Sequence, residues 1–134
     1  MSGLVLKLAP NERVLINGAV IENGDRRSKI AIRTPNANVL RLKDAIHPDR
    51  AKTPVGRACY IAQLVLSGDA EPIEGKRQLL LAIDQLTLVS DSANWQANLQ
   101  EAKTSIDDSA FYPALRKLRE LLPQEDQLIS SHRQ

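Results

Sequence analysis

The stretch that decides the fold is residues 11–46, NERVLINGAVIENGDRRSKIAIRTPNANVLRLKDAI. Apolar and polar residues alternate here in short runs, which is the pattern of strands buried on one face. Two Asn-Gly pairs, at 17–18 and 23–24, separate the runs, and such pairs favour type I′ hairpin turns because both residues tolerate positive φ. With the alternating residues 4–8 upstream, the sequence predicts an N-terminal antiparallel β-meander of four to five strands.

Beyond Thr53 the apolar spacing becomes helical. Thr53 and Pro54 are typical of the start of a helix, and Gly68 is a typical stop. The pattern predicts a helical region of about four helices, with a linker at 69–75 and the last helix ending at Pro123. The predicted fold class is α+β, with a basic sheet region at 1–50, a helical region at 51–123 and a flexible tail at 124–134. Asp107-Asp108 is interpreted as the cap of a helix start.

Composition narrows the class of protein. The chain has 134 residues, 43% apolar and 25% charged, as in ordinary soluble globular proteins. No run approaches the roughly 20 apolar residues that span a bilayer, and the start does not resemble a secretory signal. The single cysteine, Cys59, allows no internal disulfide and fits a reducing compartment. We therefore expect a cytoplasmic protein without a membrane partner.

Catalytic and metal-binding patterns are missing from the sequence. It has no phosphate loop, no Gly-x-Ser-x-Gly, no CxxC and no HExxH. Cys59 lies among apolar residues of a predicted helix, so a buried and inert thiol is expected there. Potential metal ligands are scattered rather than clustered. The sequence predicts that the protein is not an enzyme and holds no metal or cofactor.

Charge is distributed unevenly along the chain. Residues 1–60 hold 11 Lys and Arg against 5 acidic residues, whereas the remainder holds 7 against 11. A basic half suggests a polyanion partner, although ordinary solvated strand faces would also give this pattern. Aromatic residues are 3% of the chain and none lies in 11–46, so bases would have no aromatic rings to stack on there. Phosphate contacts by basic side chains remain possible.

The candidate RNA-binding residues are the basic side chains of the predicted sheet surface. Lys29 with Arg33, and Arg41 with Lys43, are expected on matching faces of two strands, where neighbouring like charges would destabilise the sheet unless a polyanion relieved them. Arg33 and Arg41 are expected to contact phosphate with little role in folding. Lys7 and Arg13 are candidate extensions of the set. The full predicted set is Arg26, Arg27, Lys29, Arg33, Arg41 and Lys43.

Three segments carry a resemblance to a known family. LKLAPNERVLINGAVIENGDRRSKIAI, NVLRLKDAI and TPVGRACYIAQL are similar to the FlbT family of flagellin-synthesis regulators of alphaproteobacteria. The resemblance implies a post-transcriptional repressor of flagellum biogenesis that associates with the untranslated leader of flagellin messenger RNA and promotes its degradation. It also implies a FlaF-type protein that acts in opposition.

A shorter resemblance concerns mechanism. LVLKLAPNERVLI and KIAIRTPNANVLRLKDAI resemble the strands of CsrA-type messenger-RNA regulators, in which the first and last strands of an intertwined dimer form the RNA site. Arg41 or Lys43 would lie in the place of the arginine that those proteins use. Additional Asn-Gly turns and a large helical half depart from that pattern.

Two other functions stay open at this point. The helices could form a protein-interaction module that holds a FlaF-like partner or flagellin, with indirect effects on RNA. The chain could also be a homo-oligomer with Val5, Leu15 and Val39 at the contact. The RNA motif, the oligomeric state and the choice between ribosome-site occlusion and nuclease recruitment are left undetermined by the sequence.

Overall fold

The computed structural model describes residues 4–35 and 37–132 and has five strands followed by helices, which confirms the α+β prediction. Two short 3-10 turns, Leu42–Asp44 and Pro48–Lys52, separate the strands from the helices. The strands are β1 Leu4–Leu8, β2 Arg13–Ile16, β3 Ala19–Glu22, β4 Ser28–Ile32 and β5 Val39–Arg41. The helices are α1 Pro54–Ser67, α2 Pro72–Leu86, α3 Ala93–Asp107, α4 Phe111–Arg119 and α5 Leu122–His132.

The five strands form two antiparallel sheets rather than the single meander that was predicted. β1 pairs with β4, and the second sheet has the order β3-β2-β5. The turn at Asn17 (φ 50°) and Gly18 (φ 84°) joins β2 to β3 as expected for type I′. This hairpin occupies one edge of β2, and β5 takes the other. The strand that carries Lys29 is therefore not hydrogen-bonded to the strand that carries Arg41.

The second Asn-Gly pair does not form a hairpin. Gly24 does not adopt positive φ, and β3 and β4 belong to different sheets. Instead, residues 23–27 cross from one sheet to the other, held by the Asn23 side chain. The predicted turn was right about a change of direction and wrong about the pairing, because side-chain hydrogen bonds of asparagine compete with the hairpin geometry.

The sheets and helices stack as three layers. On one side of the three-stranded sheet, Val14 and Val39 pack with Leu6 and Leu8 of the two-stranded sheet. On the other side, Leu40 joins the helical core. The alternation of neighbouring residues across a strand produces this division. It also corrects the proposed oligomer contact: Val39 is buried and Leu15 is partly buried against the helices, whereas Val5 is exposed.

Capping residues set the helix boundaries, some of which agree with the prediction and some of which differ from it. Thr53 caps α1, with its hydroxyl accepting from the Gly56 amide, and Gly68 ends it in the left-handed conformation, as predicted. α2 begins at Pro72 within the predicted linker, because Glu71 serves as its cap. Asp107-Asp108 ends α3 rather than starting a helix. No helix in 4–35 or 37–132 has the length and apolarity needed to cross a membrane.

The C-terminal segment was expected to be a flexible tail, but its described part is helical. α5 starts at Leu122, with Pro123 in the first turn, where a missing amide donor costs little. Glu125 is buried, and its carboxylate accepts a hydrogen bond of 2.8 Å from the Val55 amide at the start of α1. This contact across the sequence anchors α5, and residues 133–134 lie outside the described part.

Gly56 tests the packing at the start of α1. A Cβ at this position would lie 1.7 Å from the backbone oxygen of Arg50. Because Thr53 and Pro54 fix the start of the helix, the backbone has little room to move away from this clash. We expect Gly56→Ala to lower the free energy of unfolding by about 1–3 kcal/mol or more, the usual cost of overpacking. Urea denaturation followed by circular dichroism measures this.

Gly24→Ala is the matched control, because a Cβ there meets no atom within 4 Å. An equal loss of stability in both variants would contradict the close approach at Gly56.

Candidate nucleic-acid interface

A basic cleft lies where the end of β1 meets the loop before β4 and the end of β5. Its volume is about 370 Å³. Leu8 and Ala9 supply its apolar lining, and most of the other residues are cationic. The lining residues are Lys7, Leu8, Ala9, Glu12, Arg27, Ser28, Lys29, Arg41 and Lys43.

The fold brings four of the six predicted RNA-binding residues into this cleft and leaves two outside. Arg27, Lys29, Arg41 and Lys43 line it. Arg26 is exposed but does not line it. Arg33 follows the far end of β4, roughly 13 Å of extended chain from Lys29. The assignment of Arg26 and Arg33 as RNA contacts stays a prediction without support from the cleft geometry.

Two further basic residues behave differently from each other. Lys7, a candidate extension of the set, lines the cleft and lies directly opposite Lys29 in the β1–β4 ladder. Arg13 lies outside it and forms an exposed ion pair with Glu22 across the β2–β3 hairpin, at 2.7 Å. The facing like charges expected between neighbouring strands therefore exist, but they are Lys7 and Lys29.

Four of the cleft cations have no carboxylate partner. Within the described ranges, the ion pairs and side-chain hydrogen bonds do not include the charged groups of Lys7, Arg27, Lys29 or Lys43. Directly opposed like charges destabilise a sheet by a few tenths of a kcal/mol. The cleft thus concentrates positive charge that, within the described residues, is not held in ion pairs.

Arg41 is the exception, because its charge is used inside the protein. Its Nε and Nη2 donate to the two carboxylate oxygens of Glu12, each at 2.7 Å, and Nη2 also donates to the Lys7 carbonyl oxygen at 2.7 Å. The side chains are only 15% and 8% exposed. The hydrogen bonds from Arg41 hold the pKa of Glu12 at about 2, although burial opposes this shift. The same pairing raises the pKa of Arg41.

These contacts bear on the predicted role of Arg41. A guanidinium that joins Glu12 to the backbone of β1 stabilises the fold, so the expectation that Arg41 matters little for folding is not supported. Its position suits a residue that shapes the cleft and places Lys7. Phosphate contact by Arg41 stays a prediction.

Asn23 and Glu12 position the cleft, and the sequence analysis missed both roles. Asn23 Nδ2 donates to the carbonyl oxygens of Ala9 at 2.7 Å and Arg26 at 2.8 Å, and its Oδ1 accepts from the Ser28 hydroxyl at 2.7 Å. The loop that carries Arg27 is thereby tied to the end of β1. The only sequence signal was the turn-forming Asn-Gly pair, which indicates a turn but not these partners.

Neither a cluster of metal ligands nor a reactive thiol is found in the part of the chain that the structure describes. No group of three or more His, Cys, Asp or Glu residues there could hold a metal ion. Cys59 is fully buried, and burial raises the pKa of its thiol to about 12, which agrees with an inert thiol.

Comparison with known proteins gives the family. A family model described as "Flagellar protein FlbT" matches residues 4–129. The chain belongs to the FlbT family. A relative from Rhodopseudomonas palustris (strain TIE-1), named "Probable flagellum biosynthesis repressor protein FlbT", is 31% identical over 128 residues, covering 95% of this chain and 98% of that protein. The family resemblance seen in the sequence is thus confirmed.

Other FlbT relatives carry similar names. A protein from Bradyrhizobium diazoefficiens, "Probable flagellum biosynthesis repressor protein FlbT 1", is 30% identical over 126 residues, covering 93% of this chain and 84% of that protein. The "Flagellum biosynthesis repressor protein FlbT" of Caulobacter vibrioides (strain ATCC 19089 / CIP 103742 / CB 15) is 47% identical over 51 residues, which is 38% of this chain and 36% of that protein. These are names of regulators rather than enzymes. No solved structure matches the chain.

The ion pair between Glu12 and Arg41 can be tested by substitution. Glu12→Gln keeps the shape but removes the charge that compensates a largely buried guanidinium, so we expect a loss of about 1–3 kcal/mol in the free energy of unfolding at pH 7. Glu22→Gln, which breaks the exposed pair with Arg13, should cost at most about 1 kcal/mol. Urea denaturation of both variants measures the difference.

The same pair gives the expected pH dependence. Because the folded-state pKa of Glu12 lies near 2, below its ordinary 4.5, its contribution is complete above about pH 4.5 and is lost as the pH falls toward 2. The difference in free energy of unfolding between wild type and Glu12→Gln should therefore shrink as the pH falls from about 5 to about 3. A difference that stays constant with pH, or equal costs for Glu12→Gln and Glu22→Gln, would contradict the assignment.

Proposed function

We propose that this protein is a cytoplasmic repressor of flagellum biosynthesis that binds the untranslated leader of flagellin messenger RNA in the basic cleft and promotes degradation of the message. The repressor role is supported by the names of its FlbT relatives. The leader as target, and degradation as outcome, are what the family resemblance implies.

One observation carries the RNA-binding part of the proposal. Four cations share a cleft in which, among the described residues, none of them forms an ion pair with a carboxylate, while the neighbouring Arg41 is paired with Glu12. A protein that needed only a solvated surface would gain nothing from placing Lys7 opposite Lys29. RNA phosphates would relieve that repulsion and release counterions on binding.

A charge-removal experiment tests the proposal. The double variant Lys7→Ala, Lys29→Ala should bind a single-stranded leader oligonucleotide about tenfold more weakly, since each exposed contact contributes up to about 1 kcal/mol. The slope of log affinity against log salt should become shallower by about 1.4, or 0.7 per lost phosphate contact on a single strand. Fluorescence anisotropy at two or more salt concentrations measures both quantities.

Lys52→Ala, a change of equal chemistry in the second 3-10 turn and outside the cleft, is the control and should leave affinity nearly unchanged. Folding of the double variant should be intact or slightly improved, because a repulsive pair is removed. Unchanged affinity of the double variant, or an equal loss in Lys52→Ala, would refute the cleft as the RNA site.

A second candidate function is supported by an apolar groove between α1 and α2. The groove is about 270 Å³ in volume, and Val89 at its edge is 53% exposed. Such a surface suits a helix of a protein partner, for which the family resemblance suggests a FlaF-like protein or flagellin. Its lining residues are Pro54, Arg57, Ala58, Ile61, Ala82, Gln85, Leu86 and Val89.

Co-purification with a FlaF-like protein separates the two functions. Val89→Asp should abolish partner binding, whereas Leu81→Asp, at an equally exposed position of α2 outside the groove, should not. If the intact protein retains the partner but fails to bind the leader, the protein-interaction function replaces the RNA-binding one.

A further inference from the structure

The hydrogen-bonding groups of the cleft fall into two classes. The charged acceptor is largely used within the protein: the Glu12 carboxylate accepts three hydrogen bonds, from Arg41 and the Ala9 amide, and the Lys7 carbonyl accepts one from Arg41. The Ser28 hydroxyl donates a hydrogen bond to Asn23 Oδ1. By contrast, four cationic side chains of the described lining, Lys7, Arg27, Lys29 and Lys43, make no ion pair.

This division limits what the cleft can recognise. Free donors alone can read acceptor groups such as guanine O6 and N7, whereas the amino groups of adenine and cytosine call for a free acceptor. Lysine ammonium groups are donors only and act as point charges. Phosphate oxygens are acceptors only and carry the charge that matches. The free cations of the cleft therefore match the charged phosphate oxygens of the RNA backbone better than they match base edges.

The dimensions of the cleft restrict the form of the ligand. Its volume of about 370 Å³ lies near the lower end of the range for small-molecule sites, about 300–1,000 Å³. Leu8 and Ala9 add apolar lining beside the cations. A concave site of this size is suited to about one nucleotide unit of a single strand.

We infer that the cleft binds the phosphates of one nucleotide step of single-stranded RNA and does not distinguish the base. The inference rests on the proposed function and adds a division of labour to it. Phosphate contacts set affinity and position, whereas sequence is read by base contacts. Any preference for the flagellin leader must accordingly come from residues outside this cleft.

Arg27 is the free group best suited to base contact, because its planar guanidinium can bind guanine as well as phosphate. Arg27→Lys keeps the charge and removes the planar fork. If Arg27 holds only phosphate, this variant should bind a leader oligonucleotide and a scrambled one of equal length in the wild-type ratio. If it reads guanine, the ratio should fall.

The main experiment compares these two single-stranded oligonucleotides by fluorescence anisotropy. Lys7→Ala, Lys29→Ala should lower the affinity for both by the same factor, within about twofold, as expected for phosphate contacts. A change of the leader-to-scrambled ratio by about tenfold, the size of one lost base contact, in this variant or in Arg27→Lys would overturn the inference. A duplex of the same sequence should bind more weakly than the single strands, and tighter duplex binding would overturn the single-strand assignment.

A second measurement keeps the inference separate from the proposed function. Ribonucleoside 5′-monophosphates of all four bases should shift the amide resonances of residues 7–9 and 27–29 with affinities that agree within about twofold, and the matching nucleosides should not. Failure of the intact protein to bind the leader would refute the proposed function, while equal binding of the four monophosphates would still support base-independent recognition. Binding of one monophosphate only, or of the nucleosides, would refute the inference itself.

Discussion

The hydrogen-bonded ion pair of Arg41 and Glu12 holds the two sheets in their relative positions. Arg41 ends β5 in the three-stranded sheet, and the same guanidinium reaches the Lys7 carbonyl of β1 in the other sheet. Glu12, in the loop between β1 and β2, also accepts a hydrogen bond from the Ala9 amide. A largely buried ion pair is stable only when hydrogen bonds satisfy both groups, as they do here. The pair fixes the cleft, because it joins lining residues that come from both sheets and from the loop between them.

The charge distribution of the cleft follows from that arrangement. Among the described residues that line it, Glu12 is the only one with a carboxylate, and Arg41 donates to both of its oxygens. Lys7 and Lys29 are brought face to face by the β1–β4 register, and the Asn23 hydrogen bonds keep Arg27 beside them. One cation therefore serves the fold, and four are left for a ligand. Like charges that face each other, as Lys7 and Lys29 do, are not required by the fold and are typical of functional sites.

The parts of the fold that sequence predicted are those set by neighbouring residues. The turn at Asn17-Gly18 and the caps of α1 depend on a few adjacent positions, and both were confirmed. Strand pairing is not local: Arg41 meets Glu12 across 29 positions, and no periodicity reports such a contact. The start of α2 was missed because glutamate is an unusual cap, and α5 because its anchor is the distant Val55 amide. Charge and strand position pointed to four residues that line the cleft, whose contact with RNA stays a prediction, but the ion pair of Arg41 required the structure.

Contact between RNA and the cleft is tested most directly by titrating the isotope-labelled protein with a single-stranded leader oligonucleotide and following the amide resonances. The expected result is that the largest shifts fall on residues 7–9, 27–29 and 41–43, with the α1–α2 groove unaffected. Shifts confined to residues 54–89, or spread evenly over the surface, would contradict it.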